Sequence, residues 1–181
     1  MINKDDARPA AKMVRPPEKP NEKKIQQIIS AGCIVFRRTR EGLKSLILYH
    51  GHNYWNFPKG KIESEEKSLA AALRETREET GLATNDLRVL PNFRAHERFH
   101  YRWAGQPYFK IVIFYLAETR NPRVRVSEEH EGYGWCLPNE AAKILGKYRD
   151  SQRVLKQAID FLRPRHRQKP HHPPPPQRPR H

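Results

Sequence analysis

Three runs of strand length and composition fall on either side of one sharply bounded helical segment, and that order restricts the chain to a mixed α/β fold. Residues 28–37 (IISAGCIVFR), 45–49 (SLILY) and 110–117 (KIVIFYLA) are short and rich in β-branched and aromatic side chains. Weaker strand patterns occupy 87–93, 95–103 and 132–137. Between them, Ser64 is placed to cap a helix whose opening turn holds Glu65 and Glu66 and whose apolar face is Leu69, Ala72, Leu73 and Thr76, and Gly81 supplies the stop. A second helical region opens after Pro138 with Asn139, Glu140 and Ala141, breaks near Gly146 and resumes over 150–163, where Val154, Leu155, Ala158, Ile159 and Leu162 recur at helical spacing. These elements predict one α/β (α+β mixed) domain over 28–163.

Composition explains what lies outside it. The chain has 36% apolar residues, 16 prolines and a mean hydropathy of −0.93, which is too polar for uniform packing. Residues 1–27 are polar and punctuated by Pro9, Pro16, Pro17 and Pro20, while 164–181 read PRHRQKPHHPPPPQRPRH. Both are expected to be disordered, basic tails. Of the net charge of +15, residues 1–24 carry +3 and 164–181 carry +5, leaving +7 on the globular part. Such a surface attracts polyanions, so polyphosphates, nucleic acid or anionic head groups are the partners that charge admits. The N-terminus lacks an apolar signal core, and no run approaches a membrane span. A soluble, cytoplasmic monomer with no membrane contact is expected. Cys33 and Cys136, without CxxC spacing or neighbouring ligands, read as reduced buried thiols.

Residues 60–82, GKIESEEKSLAAALRETREETGL, hold the chemistry. Glu75, Glu78 and Glu79 stand at i, i+3 and i+4 of the first helix, within about one turn on one face. They repel one another, and they lie at the helix C-terminus, where the macrodipole disfavours anions. A hard divalent cation resolves both conflicts, because carboxylate oxygens are the ligands Mg²⁺ takes while it bridges to phosphates. The competing interpretation is a solvated acidic face eased by Arg74 or Lys67.

Gly60, Glu66, Arg74, Glu75, Thr76, Glu78, Glu79, Gly81 and Leu82 match the pattern G-x5-E-x7-R-E-U-x-E-E-x-G-U, with Thr76 as the single departure. The segment resembles the Nudix box. That resemblance implies the Nudix fold, a mixed β-sheet sandwiched between helices, and a hydrolase that uses Mg²⁺, with Mn²⁺ as an alternative ion. It implies that the Gly60 carbonyl and Glu75, Glu78 and Glu79 ligate or orient the ion, that Arg74 holds a glutamate, and that Glu66 braces the helix. The family's general base varies between a box glutamate, here Glu78, and a distal one. Glu129, six residues before Trp135, occupies the distal position as metal- or water-contacting residue, with Glu128 and Glu131 competing.

Several stretches, AGCIVFRR at 31–38, KIVIFYLAE at 110–118 and EEHEGYGW at 128–135, are similar to asymmetric diadenosine tetraphosphate hydrolases. This implies a nucleoside or dinucleoside polyphosphate substrate cut to ATP and AMP, with Tyr133 and either Tyr101 or Phe99 stacking on adenine and Lys59 reaching a phosphate. Each aromatic can equally be sheet packing. WNFPKGKIE at 55–63 also resembles messenger-RNA decapping enzymes, but these carry a helical domain that 1–27 cannot supply. A bacterial-type RNA 5′ pyrophosphohydrolase, with RNA contacted through the basic tails, is the second reading. A non-catalytic nucleotide- or RNA-binding module is the third, and the retained box glutamates argue against it.

Overall fold

The structure is a computed structural model that describes residues 24–163. The tails expected at 164–181 and over most of 1–27 lie outside the described residues. β1 (Gln26–Thr39) runs to a tight turn and returns as β2 (Gly42–Tyr49). The short β3 (Trp55–Asn56) and β4 (Lys59–Lys61) follow, then α1 (Ser68–Thr80), a 3-10 turn at Thr84–Asp86 and β5 (Arg88–Val89). The long hairpin of β6 (Ala95–Trp103) and β7 (Gln106–Glu118) leads to β8 (Gly132–Cys136), α2 (Pro138–Leu145) and α3 (Arg149–Leu162).

These strands form one mixed sheet in the order β3-β2-β1-β7-β5, with β4 paired to β1, β6 to β7 and β8 to β2. β1 and β7 pair in parallel over their lengths, from Gln26 opposite Tyr108 to Phe36 opposite Glu118, and the other pairs are antiparallel. The parallel centre accounts for the unbroken burial of 30–36, because a strand covered on both faces needs apolar side chains on both. On one face Ala31, Cys33, Val35, Leu46 and Leu48 pack with Ala71, Ala72 and Leu82 of the α1 layer. On the other, Ile34, Phe36, Ile47, Phe57 and Phe114 pack with Leu145, Val154, Leu155 and Ala158 of α2 and α3. The sheet is therefore sandwiched between helices, as expected.

The structure corrects four details of the sequence reading. α1 opens at Ser68 rather than after Ser64, because Glu65 has a positive φ and Glu66 closes a turn by accepting from the Glu63 N–H at 3.2 Å. Leu69 is 36% exposed, and the buried face of α1 is instead Ala71, Ala72, Thr76, Glu79 and Thr80. β1 opens two residues ahead of the expected domain edge, since Gln26 and Gln27 pair with Tyr108 and Phe109. Of the run 87–93, only Arg88 and Val89 pair as strand. Gly81 ends α1 as expected, left-handed at φ 68°, with its N–H on the Arg77 carbonyl.

Both cysteines are free and buried. They belong to opposite faces of the sheet, Cys33 to the α1 layer and Cys136 to the α2/α3 layer, so they cannot bridge. Burial pushes the Cys33 thiol up to about 11. Among the described residues no helix is long and apolar enough to cross a membrane.

Candidate active site

The site forms where the segment 57–61 crosses β1 and meets the C-terminal half of α1. Its closeness to β1 depends on a missing side chain: a Cβ on Gly32 would stand 2.1 Å from the Pro58 carbonyl oxygen. Cys33 N–H donates to that same oxygen at 3.2 Å, which pins the crossing. Gly60 then sits against α1 so closely that a Cβ on it would lie 2.0 Å from the Glu75 carboxyl carbon. Two glycines thus bring the backbone beside the first box carboxylate.

Arg74 organises the acids around it. Its guanidinium donates twice to Glu66, at 3.0 and 2.9 Å, once to Glu75 at 2.8 Å, once to Glu78 at 3.1 Å, and to the Lys61 carbonyl at 3.0 Å. The fork geometry of arginine suits this many-sided role. Glu66 therefore braces the box through Arg74 and the Glu63 N–H rather than from inside the helix. Thr76, the departure from the motif, is fully buried and satisfies its hydroxyl on the Ala72 carbonyl at 2.7 Å.

Glu79 is the buried acid of the three. It is 7% exposed, accepts the Lys59 N–H at 2.9 Å, and stands 3.7 Å from His130 Nε2. Burial pushes its carboxyl up to about 7; the charges of Glu75 and Glu129 add to the rise, and Lys59 opposes it. Glu78 remains half in solvent between Arg74 and Arg77. The shared helix face is real but uneven, and no three Asp, Glu, His or Cys side chains among the described residues converge tightly enough to enclose an ion. Arg74 is the physical reason, because it draws Glu75 and Glu78 toward itself while Glu79 is drawn toward Lys59. The donor chemistry still fits a hard divalent cation, since it offers carboxylate oxygens packed against the Gly60 backbone.

The distal loop is tied to the same helix end. Arg125 N–H donates to the Thr80 carbonyl and Ser127 N–H to the Glu79 carbonyl. Of the competing glutamates, Glu131 is turned away, its carboxylate lying 2.2 Å from where a Cβ on Gly51 would be. Glu129 is exposed, yet close enough to raise Glu79 and act on His130, and Glu128 shows no such coupling. The loop also brings in a residue outside the motif. His130 is buried, with Nδ1 3.0 Å from the Ser127 hydroxyl and its ring 4.4 Å from His50.

Two lysines act electrostatically on these acids. Lys59 acts electrostatically on Glu79, Glu97, His50 and His130, whereas Lys61 is exposed. The second is Lys110, which lies outside the box and to which the sequence reading gave no role. It is half-buried on β7, and its amine is held below the ordinary range by burial and then by the like charge of Lys59. Its hint in the sequence is a lone cation at the head of the apolar run 110–117.

A cleft of about 640 Å³ adjoins the site, lined by Tyr54, Asn56, Glu97, Phe99, Tyr148 and Ser151 among others. Phe99 is in it, while Tyr101 lies farther out on β6, its ring 6.1 Å from that of Phe99. Tyr133 does not line the cleft. It is opposite Leu48 on β8, and Leu48 belongs to the α1 layer, so Tyr133 is on the other face of the sheet from both Phe99 and Tyr101, its expected partners. The aromatics grouped with Phe99 are Tyr54 and Tyr148, 5.1 Å apart and edge-on. A larger cavity, about 710 Å³, lies at the opposite end of β1 around Arg38, Arg88 and Glu118. Neither cavity is lined by a box residue, but the smaller one holds Glu97, on which Lys59 acts, and Tyr54, whose ring lies 6.0 Å from the Lys59 amine, whereas Arg38 and Arg88 of the larger one are paired with Glu118.

The arrangement of a glycine-seated box, a clamping arginine and a buried glutamate at a helix end defines a class, and comparison with known proteins agrees. The family model described as NUDIX domain matches residues 27–158, and the chain belongs to that family, whose hydrolases generally use divalent metal ions. It is 34% identical over 143 residues to the asymmetrical bis(5′-nucleosyl)-tetraphosphatase of Mus musculus, covering 74% of this chain and 94% of the relative. The same enzyme of Caenorhabditis elegans is 31% identical over 136 residues, covering 74% and 95%. A crystal structure of a C. elegans Ap4A hydrolase binary complex superposes with a TM-score of 0.64 at 30% identity, covering 75% of this chain and 97% of that one.

Proposed function

We propose that this chain is a cytoplasmic, Mg²⁺-dependent hydrolase of dinucleoside polyphosphates that cuts diadenosine tetraphosphate to ATP and AMP. One observation carries the reading: Lys59 and Lys110 both act electrostatically on the buried Glu79, while Lys59 lies 6.0 Å from the Tyr54 ring and Lys110 stands opposite Phe99, two aromatics that line the cleft. A polyphosphate with a base at its end has the charge and shape for that arrangement. The similarity to tetraphosphatases over most of both chains supports the same substrate class.

In this reading Glu75, Glu78, Glu79 and the Gly60 carbonyl hold the divalent ion. The chemistry such an ion supplies when bound is neutralisation of phosphate charge and acidification of water near the phosphorus. Arg74 keeps Glu75 and Glu78 oriented, and Lys59 and Lys110 grip the phosphate chain. Phe99, Tyr54 and Tyr148 hold a base in the cleft, an interaction of about 1–3 kcal/mol per stacked base. Glu129 is the general base that takes the proton from the attacking water, and Glu78 is the alternative. Glu79 fixes the Lys59 backbone, so the phosphate-binding segment and the acidic cluster move as one unit.

The test is a substrate panel of dinucleoside polyphosphates, nucleoside triphosphates, sugar nucleotides and 5′-triphosphate RNA, with products identified in Mg²⁺ and in chelator. ATP plus AMP from diadenosine tetraphosphate, only with the divalent ion, is the expected outcome. Inertness toward it, with pyrophosphate or phosphate released from triphosphorylated RNA, would transfer the assignment to RNA 5′ pyrophosphohydrolase. Comparing Glu129→Gln with Glu78→Gln identifies the base, because only its loss flattens the acidic limb of the pH–rate profile.

A further inference from the structure

The wall of the aromatic cleft contains a buried acid that neither the box nor the distal loop uses. Glu97 is 2% exposed on β6, two residues before Phe99 and therefore on the same face of the sheet. Its Oε1 has no hydrogen-bond partner among the described residues. The other buried side-chain atoms in that condition, on Ser30, Arg37, His50 and His130, do not line the cleft.

Stability does not account for a carboxyl group in this position. Removing it from water is costly, and a buried acid that serves the fold is paired with a cation or fully hydrogen-bonded. Burial holds the Glu97 carboxyl above its ordinary range. The groups that act on it through hydrogen bonding are the neutral Ser151 and Asn56, while Lys59 acts only through charge and Asp150 adds to the rise. Asn56 already donates from its amide to the Tyr54 hydroxyl at 2.9 Å and accepts the Phe57 N–H at 2.7 Å. What remains free is an acceptor, in a cleft whose other walls include the rings of Tyr54, Phe99 and Tyr148. Aromatic walls hold a flat heteroaromatic ring with little regard to its identity. A buried acceptor beside them discriminates, because a ring with no N–H to offer leaves it unpaired. A carboxyl group accepts from an N–H whether or not it is protonated, so this recognition does not depend on its titration.

We propose that Glu97 is the specificity-determining residue of the cleft, accepting an N–H of the 6-amino group of adenine while Tyr54, Phe99 and Tyr148 hold the ring. This deepens the function proposed above and rests on its placement of a base in the cleft. A purine with hydrogen at C6 has the same stacking faces and no donor there, so it is the ligand that Glu97 rejects.

The experiment is isothermal titration calorimetry on the full chain in Mg²⁺, comparing AMP with purine riboside 5′-monophosphate, which lacks the 6-amino group. The parent is expected to bind AMP about tenfold more tightly. In Glu97→Met, which keeps the side-chain length without a polar group, the two ligands should bind alike, with affinity for the unsubstituted purine held or raised. Glu97→Gln keeps an acceptor oxygen and should retain most of the preference. Thermal midpoints of both variants should be held or raised, because a buried ionisable group is removed. Equal affinity of the parent for the two ligands, or no binding of AMP at millimolar concentration, overturns the proposal, and neither result requires a variant to fold. So does a Glu97→Met protein that weakens equally toward both ligands, the result expected of an acid that only shapes the cleft. Neither monophosphate has a phosphoanhydride bond, so failure here is separate from failure of diadenosine tetraphosphate turnover.

Discussion

Glu79 is the buried acid of the cluster, and burial pushes its carboxyl up to about 7. Replacing it with Gln keeps an oxygen for the Lys59 N–H and removes the buried charge. Glu79→Gln is expected to lower turnover of diadenosine tetraphosphate by roughly three orders of magnitude or more, with the thermal midpoint held or raised in chelator. Product analysis beside thermal unfolding checks both halves, and a large loss of stability would show that the acid is structural. His50 gives the pH prediction. Burial first, then the charge of Lys59, hold its imidazole down at about 3, against an ordinary 6.5, and its Nε2 has no partner among the described residues. A depressed histidine is neutral in the fold, so its contribution is complete above 6.5 and is lost progressively as pH falls toward 3. Chemical denaturation between about pH 7 and pH 5 should therefore show stability falling less steeply in His50→Gln than in the parent. Glu79 titrates with the opposite sign, which is why the difference between the two proteins is the readout.

At the scale of elements, the loop–helix–loop depends on two glycines with different obligations. At Gly60 the atoms in the way are the end of the flexible Glu75 side chain; at Gly32 they are the Pro58 carbonyl and the Lys59 backbone. Gly60→Ala should accordingly cost activity, about a hundredfold, with little change in thermal midpoint, because Glu75 can swing away. Gly32→Ala should instead lower stability by about 1–3 kcal/mol, because backbone must move. Both are measured by denaturation and by initial rates, and equal losses of stability would refute the distinction. The motif marks Gly60 in the sequence, since a fixed glycine beside a fixed glutamate pattern is visible locally. Nothing local marks Gly32, whose role appears only once 57–60 lies across β1. The start of α1 differs from its sequence signal for a related reason: Ser64 and Glu66 form a good capping pattern, yet Glu66 is claimed by Arg74, eight residues on, and leaves the helix.

For the whole molecule, the parallel β1–β7 pair is the beam on which both layers are built. Phe114 sits at its centre, fully buried and edge-on to Phe57 at 5.6 Å. Phe114→Ala should cost about 3–5 kcal/mol in denaturant unfolding, and it should reduce activity only through the folded fraction, since Phe114 reaches no substrate. Phe57 ties that core to the segment bearing Lys59 and Gly60, so core and site share a wall.

By itself, the sequence determined the elements with strong periodicity, the tails' composition and the box, because these are properties of neighbours in the chain: alternation, helical spacing, and like charges crowded within one turn. It also named Glu129 and Phe99, though not what would stand beside them. The company those residues keep was decided by tertiary structure alone. Lys110 comes to Lys59 through strand register, His130 to Glu79 through a loop pinned at the helix end, and Tyr148 to Phe99 by docking of α3, while Tyr133 goes to the other layer. Such meetings join residues tens of positions apart, and no local pattern encodes which distant face a sheet will turn toward them.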